Sequence, residues 1–85
     1  MDYVVVAFRS RAHTVKFAES LRMSGVAVEI INTPKEAGVG CGLSVKTSKT
    51  NLALVKKSVR YSGLDSFAGT FLVRNFSGKR VVRTI

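Results

Sequence analysis

The sequence predicts an α+β domain in which two helices pack on one face of an antiparallel sheet. Short β-branched runs and two segments of helical periodicity follow each other in the order β-α-β-β-α-β. The 85 residues suffice for one domain, which we expect over residues 1–85. Packing both helices on one sheet face buries their apolar stripes most economically. The expected architecture is therefore the ferredoxin-like βαββαβ fold.

The first half of the chain is predicted as strand, helix and strand. Tyr3–Phe8 is a β-rich apolar run of the length of a buried strand. Ser10 is placed to cap a helix over residues 11–24, and Gly25 to end it. Val26–Ile31 is a second β-branched run. The inward face of the helix, at i, i+3, i+4 and i+7, consists of Thr14, Phe17, Ala18 and Leu21.

The second half is predicted as loop, strand, helix and strand. Residues 32–42 contain a proline and three glycines, which is typical of a loop. Leu43–Lys46 is a short strand, and Phe67–Phe76 a longer one. A Ser-Gly turn then permits an extra C-terminal strand over Arg80–Ile85. The inward face of the second helix consists of Leu52, Val55 and Val59.

Charge is the most unusual bulk property of the chain. Fourteen Lys and Arg residues stand against five acidic residues, which gives a net charge of +9. A field of this sign attracts polyanions such as nucleic acid, acidic protein surfaces or phosphorylated metabolites. The basic residues form no run longer than two. The alternative that they serve only solubility therefore stays open.

Cysteine content and hydropathy bear on the compartment. A single cysteine cannot form an internal disulfide, which fits a reducing environment. The first residues lack the basic region and cleavage site of a secretory signal. No apolar run approaches the roughly 20 residues needed to cross a bilayer. We therefore expect a cytoplasmic protein without a membrane partner.

The glycine-rich loop around Cys41 is the most informative segment. Gly40 and Gly42 flank the cysteine, and their missing Cβ atoms let another molecule approach the sulfur. A nest of backbone N–H groups, with Lys35 or Lys46, would favour the reactive thiolate. The alternative is a cysteine packed in the core as a small hydrophobe. The glycines favour function, because a core strand rarely needs so much backbone freedom.

The same segment resembles a family of small bacterial proteins, the selenium/sulfur carrier protein-like family. Its Phe-x-Ser motif before the first helix corresponds to Phe8-Arg9-Ser10. Its Pro-Arg and Cys-Gly motifs correspond to Pro34-Lys35 and Cys41-Gly42. The likeness extends over roughly residues 3–72. The chain departs from the family by Lys in place of Arg, by Gly40 where Ser is common, and by Thr14 where the helix usually has Ala.

The resemblance implies a sulfur or selenium carrier that holds a persulfide or selenopersulfide on Cys41. In that role Lys35 would stabilise the anion, and Gly40 and Gly42 would give access. A single thiol suits a carrier, since a second nearby thiol would discharge the load by forming a disulfide. The expected partners are donor and acceptor proteins, and acidic ones would suit the charge of the chain. We expect a carrier and not an enzyme, because no second catalytic group is visible.

Other candidate groups carry less chemistry. His13 is either a base close to Cys41 or a solvated residue at the helix start. These two side chains are too few for a zinc site, so we expect no metal or cofactor. Glu36 is either a solvated loop charge or a group that opposes thiolate formation. No phosphate-loop motif is present, which excludes nucleotide hydrolysis.

The alternative function is a small basic domain that binds RNA or DNA. RNA-recognition sheets share the predicted topology and stack bases on aromatic side chains. The chain lacks their aromatic motif, so its own aromatic residues are more simply core. Phosphate contact remains open for Lys56, Lys57 and Arg60. The sequence does not determine the oligomeric state.

Overall fold

The computed structural model describes residues 2–85, which form a five-stranded antiparallel sheet with both helices on one face. The strand order β2-β3-β1-β4-β5 confirms the predicted ferredoxin-like fold, with β5 as the extra C-terminal strand. The elements are β1 (Asp2–Phe8), α1 (Arg11–Met23), β2 (Val28–Asn32), β3 (Leu43–Ser48), α2 (Leu52–Tyr61), β4 (Phe67–Phe76) and β5 (Lys79–Thr84).

Two strand boundaries differ from the sequence prediction by two residues, and others by one. β2 begins two residues later, because the Val26 N–H donates to the carbonyl of Leu21 and so belongs to the end of α1. β3 extends two residues further than predicted, because its end pairs with the start of β1, where Ser48 lies opposite Tyr3. The first difference comes from the local hydrogen bonds that end α1, and the second from pairing with a remote segment, which local periodicity does not contain.

The first helix forms as the sequence predicts. The Ser10 side chain accepts a hydrogen bond from the His13 N–H at 3.2 Å and caps the helix N-terminus. Gly25 follows the last turn with a φ of +83°, the left-handed conformation that favours glycine. The four inward positions, all of them buried, are Thr14, Phe17, Ala18 and Leu21. With Val55 of α2, the apolar members of this set pack against the central strand β1.

The opposite face of the sheet carries a second apolar cluster, Val5, Ala7, Phe71 and Val73. Neither α-helix packs on this face. Ala37, from the loop between β2 and β3, packs against the cluster together with Val82 of β5. The β2–β3 loop therefore folds over the face that the helices leave uncovered, and this path determines where Cys41 lies.

Within the described residues, no helix combines the length and apolarity that a membrane span requires.

The orientation of α2 predicts that substitutions at two adjacent positions, Leu54 and Val55, change the unfolding free energy by different amounts. Val55→Ala removes a side chain with no solvent exposure, and we expect a loss of about 1–3 kcal/mol of unfolding free energy. Leu54→Ala is the matched control, because Leu54 is 41% exposed, and we expect it to change stability by less than about 0.5 kcal/mol. Urea denaturation measures both. Equal losses would contradict the assigned orientation of α2.

Candidate functional site

Cys41 lies at the end of the sheet where β1 ends and α1 begins. Its backbone N–H donates to the carbonyl of Phe8, the last residue of β1, at 3.0 Å. The Thr33 N–H donates to the carbonyl of Gly42 at 2.9 Å and closes the base of the loop. The cysteine is a free thiol and is partly exposed. The backbone on both sides of the thiol is therefore anchored while the side chain keeps contact with solvent.

The sulfur lies beside the first turn of α1. Cys41 Sγ is 3.8 Å from Thr14 Oγ1 and 3.7 Å from the carbonyl oxygen of Leu43. Thr14 is completely buried, and its hydroxyl also donates to the carbonyl of Ser10 at 3.1 Å. Helix N-termini carry a positive partial charge that favours an adjacent anion. The polar neighbours of the sulfur are thus one hydroxyl and one carbonyl, and the hydroxyl belongs to the first turn of α1.

The groups around Cys41 can form hydrogen bonds with the sulfur both as a neutral thiol and as an anion. As a thiol, Cys41 donates to the Leu43 carbonyl, and the Thr14 hydroxyl donates to Ser10. As an anion, the sulfur can accept from the Thr14 hydroxyl after rotation about its C–O bond, because a hydroxyl has one donor and two acceptor sites. Hydrogen bonds to charged groups are the stronger kind. Thr14 is the residue that sequence reasoning did not assign to the site, although it recorded Thr14 as buried and atypical of the family.

The glycines around Cys41 allow the loop to pass close to β1. Gly40 and Gly42 have φ angles of +95° and +97°, which favour glycine. A Cβ on Gly40 would lie 3.2 Å from the Phe8 carbonyl oxygen. A side chain there would crowd the acceptor of the Cys41 N–H. Because that N–H is already bonded to Phe8, it does not contribute to the anion-binding nest that the sequence predicted.

Neither predicted lysine contacts the sulfur among residues 2–85. Lys35 lines a shallow groove of about 260 Å³ together with residues 33, 34, 38, 39, 40 and 42, and Cys41 is not part of this lining. The Nζ of Lys46 lies 4.5 Å from the centre of the Tyr3 ring. The side chain that does meet the sulfur is the Thr14 hydroxyl.

His13 is held by the α2–β4 loop. Its Nδ1 is 2.6 Å from Ser66 Oγ and 4.0 Å from Asp65 Oδ1. The N–H of Ser10 donates to the same Ser66 oxygen at 3.3 Å. His13 is therefore a half-buried residue of the helix start, bonded on the side of Ser66 and not to Cys41. No cluster of three His, Cys, Asp or Glu side chains suited to a metal occurs within the described part of the chain.

Glu36 is paired with an arginine of β5. Arg80 Nε and a terminal guanidinium nitrogen donate to the two Glu36 oxygens at 2.9 and 2.7 Å. The hydrogen bond from Arg80 lowers the pKa of Glu36 below its ordinary value, with a smaller contribution from the charge of Lys35. The carboxylate charge is thus compensated by Arg80.

Fold and site together define a small α+β domain with one anchored thiol at the end of its sheet. The family model described as "Putative Se/S carrier protein-like" matches residues 2–66, a range that includes Cys41 and all elements from β1 to α2. The chain belongs to this family. No curated protein and no solved structure shows significant similarity to this chain.

The contact between Thr14 and the sulfur can be tested by alkylation. We expect Thr14→Val to slow the reaction of Cys41 with iodoacetamide at neutral pH by about fivefold, which corresponds to roughly 1 kcal/mol for one hydrogen bond to the reacting thiolate. Thr14→Ser keeps the hydroxyl and should retain most of the rate. Thr70→Val, a buried threonine on β4, controls for general destabilisation. A Thr14→Val protein as reactive as wild type would remove Thr14 from the site.

Proposed function

We propose that this protein is a sulfur or selenium carrier that holds a persulfide or selenopersulfide on Cys41. The observation that carries the proposal is the placement of the thiol in a member of the Se/S carrier protein-like family. Its sulfur is partly exposed, beside a helix N-terminus and the hydroxyl of Thr14. Helix N-termini and hydroxyl groups are both able to interact favourably with a sulfur anion.

The loading step is an exchange at sulfur. The Cys41 thiolate attacks the terminal sulfur of a persulfide R–S–SH on a donor protein. A new S–S bond forms on Cys41, the S–S bond of the donor breaks, and the donor is released as a thiolate. Cys41 then carries S–SH, and no external oxidant or reductant is consumed. A donor selenopersulfide loads selenium by the same displacement.

Delivery is the same displacement in the other direction. A nucleophile on the acceptor attacks the terminal sulfur, and the Cys41 thiolate leaves with the electron pair of the broken S–S bond. The Thr14 hydroxyl and the end of α1 would stabilise this leaving group by the contacts that favour it before loading. The chain has no second cysteine, so no internal disulfide competes with delivery.

The partners in this proposal are a donor and an acceptor protein in the cytoplasm. The net charge of +9 favours acidic surfaces on both, and attraction of this kind speeds the encounter of proteins. We infer a carrier and not an enzyme, because the steps above need one sulfur and the groups that position it. Lys35 enters as part of the positive field around the loop, since its described contacts do not include the sulfur.

Nucleic-acid binding is the second candidate. The side chains of Lys56, Lys57 and Arg60 are exposed on α2, and none of them forms an ion pair within residues 2–85. A sheet that stacks bases needs free aromatic rings on its open face. On this face Phe71 is only 5% exposed, and the partly exposed ring of Tyr3 has the Lys46 ammonium 4.5 Å from its centre. The available mode is phosphate contact by α2, which predicts weak, salt-sensitive binding without sequence preference.

Loading can be tested by intact mass spectrometry after incubation with a cysteine desulfurase and cysteine. We expect wild-type protein to gain one sulfur atom that a reducing agent removes. Cys41→Ser should gain none, and a selenopersulfide donor should add selenium at the same residue. Wild type without any adduct would contradict the carrier proposal. RNA binding that falls steeply with salt and is equal in wild type and Cys41→Ser would favour the second candidate.

A further inference from the structure

Three of the hydrogen-bonded contacts of the loop that bears Cys41 bear on the position of the thiol. Two are backbone hydrogen bonds near the thiol, from Thr33 to Gly42 and from Cys41 to Phe8. The third is in the middle of the loop, where the Glu36 carboxylate accepts a bidentate hydrogen bond from the Arg80 guanidinium. We call this pair of residues the Glu36–Arg80 clamp. It joins positions 44 residues apart in the sequence, so it connects the loop to a strand that is remote along the chain.

Apolar residues close to the clamp pack on the sheet beside it. Ala37, which follows Glu36, and Val82, two residues after Arg80, both pack against the second apolar cluster of the sheet. Arg80 of β5 is paired with Asn75 of β4. Because Arg80 is two residues before Val82, the two side chains point to the same face of the sheet. The planar guanidinium matches a carboxylate with two parallel hydrogen bonds, which fixes orientation as well as distance. The C-terminal strand therefore contacts the loop through an apolar cluster, and the Arg80 guanidinium fixes the orientation of the Glu36 side chain.

The segment between the clamp and the thiol is short and contains glycines. Gly38 and Gly40 separate Glu36 from Cys41, and both have positive φ angles. Glycine gives a freed chain more conformations than any other residue. Release of Glu36 would leave Ala37 as the described contact of the middle of the loop with the sheet. The added conformational freedom would weaken the hydrogen bond from the Cys41 N–H to the Phe8 carbonyl.

We propose that Arg80 is a positioning residue for Cys41, which acts through Glu36 to hold the thiol-bearing loop against the sheet. β5 lies beyond the residues 2–66 that match the family, so this chain's C-terminal strand supplies a restraint on the family's cysteine loop. The significance of this restraint for sulfur transfer rests on the proposed function. The restraint itself does not.

The clamp has a defined pH and salt dependence. The charged or titratable groups that act on the pair are Lys35 beside Glu36 and Tyr3 beside Arg80. Because Arg80 lowers the pKa of Glu36 in the folded protein, the clamp is complete above the ordinary pKa of a glutamate. It is lost as the pH falls through the lowered value. Both side chains are about 40% exposed, so salt should also weaken the clamp.

The test compares Arg80→Gln with Arg83→Gln. Both remove one positive charge from β5, but Arg83 has no ion pair among the described residues. We expect Arg80→Gln to speed hydrogen exchange of the Cys41 amide by about two- to fivefold, in line with an exposed ion pair. The iodoacetamide rate of Cys41 should change in the same variant. Arg83→Gln should match wild type, and Arg80→Lys should recover part of the protection.

Two further readouts separate positioning from loss of stability. Exchange of the Val6 amide, in the centre of the sheet, should be equal in wild type and Arg80→Gln. At 1 M NaCl wild type should approach Arg80→Gln, which itself should change little. Equal Cys41 exchange in Arg80→Gln and Arg83→Gln, or equal acceleration at Val6 and Cys41, would overturn the proposal. These measurements need no sulfur donor, so their failure is distinct from a failure of persulfide loading.

Discussion

The end of β1 is the constraint on which the site depends. β1 is the central strand, and Phe8, its last residue, has no solvent exposure. The Phe8 ring lies 5.2 Å from the Phe17 ring and 6.0 Å from the Phe67 ring, between α1 and β4. Its carbonyl accepts the Cys41 N–H. One buried residue therefore anchors the core by its side chain and the thiol by its backbone.

The two faces of the sheet are covered in different ways, and this difference places the thiol. The helices cover one face with a continuous apolar core. On the other face, the β2–β3 loop packs on the sheet through Ala37, and its Glu36 pairs with Arg80 of β5. From this second face the loop continues to the end of β1, where the Cys41 N–H donates to Phe8 and the Cys41 sulfur contacts Thr14 of α1. The cover of the second face and the position of the cysteine are thus one structural feature.

The side chain that contacts the thiol is a hydroxyl of α1 and not one of the predicted lysines. A hydroxyl such as that of Thr14 can donate to an anion and accept from a thiol. The same group can therefore accompany the sulfur in its free and loaded states. A carrier, which must take up its cargo and release it again, benefits from such a reversible contact.

The sequence by itself determined the order of helices and strands, the inward face of α1 and the position of the cysteine loop in the chain. These depend on local periodicity, on caps such as Ser10 and on motifs, all of which lie within a few residues of each other. Only the tertiary structure decided that Thr14 meets Cys41, 27 residues away, and that Arg80 holds Glu36, 44 residues away. It also decided that Lys35 lines a groove without the sulfur. Such contacts depend on how loops cross the sheet, and the pattern of apolar and polar residues does not encode that path.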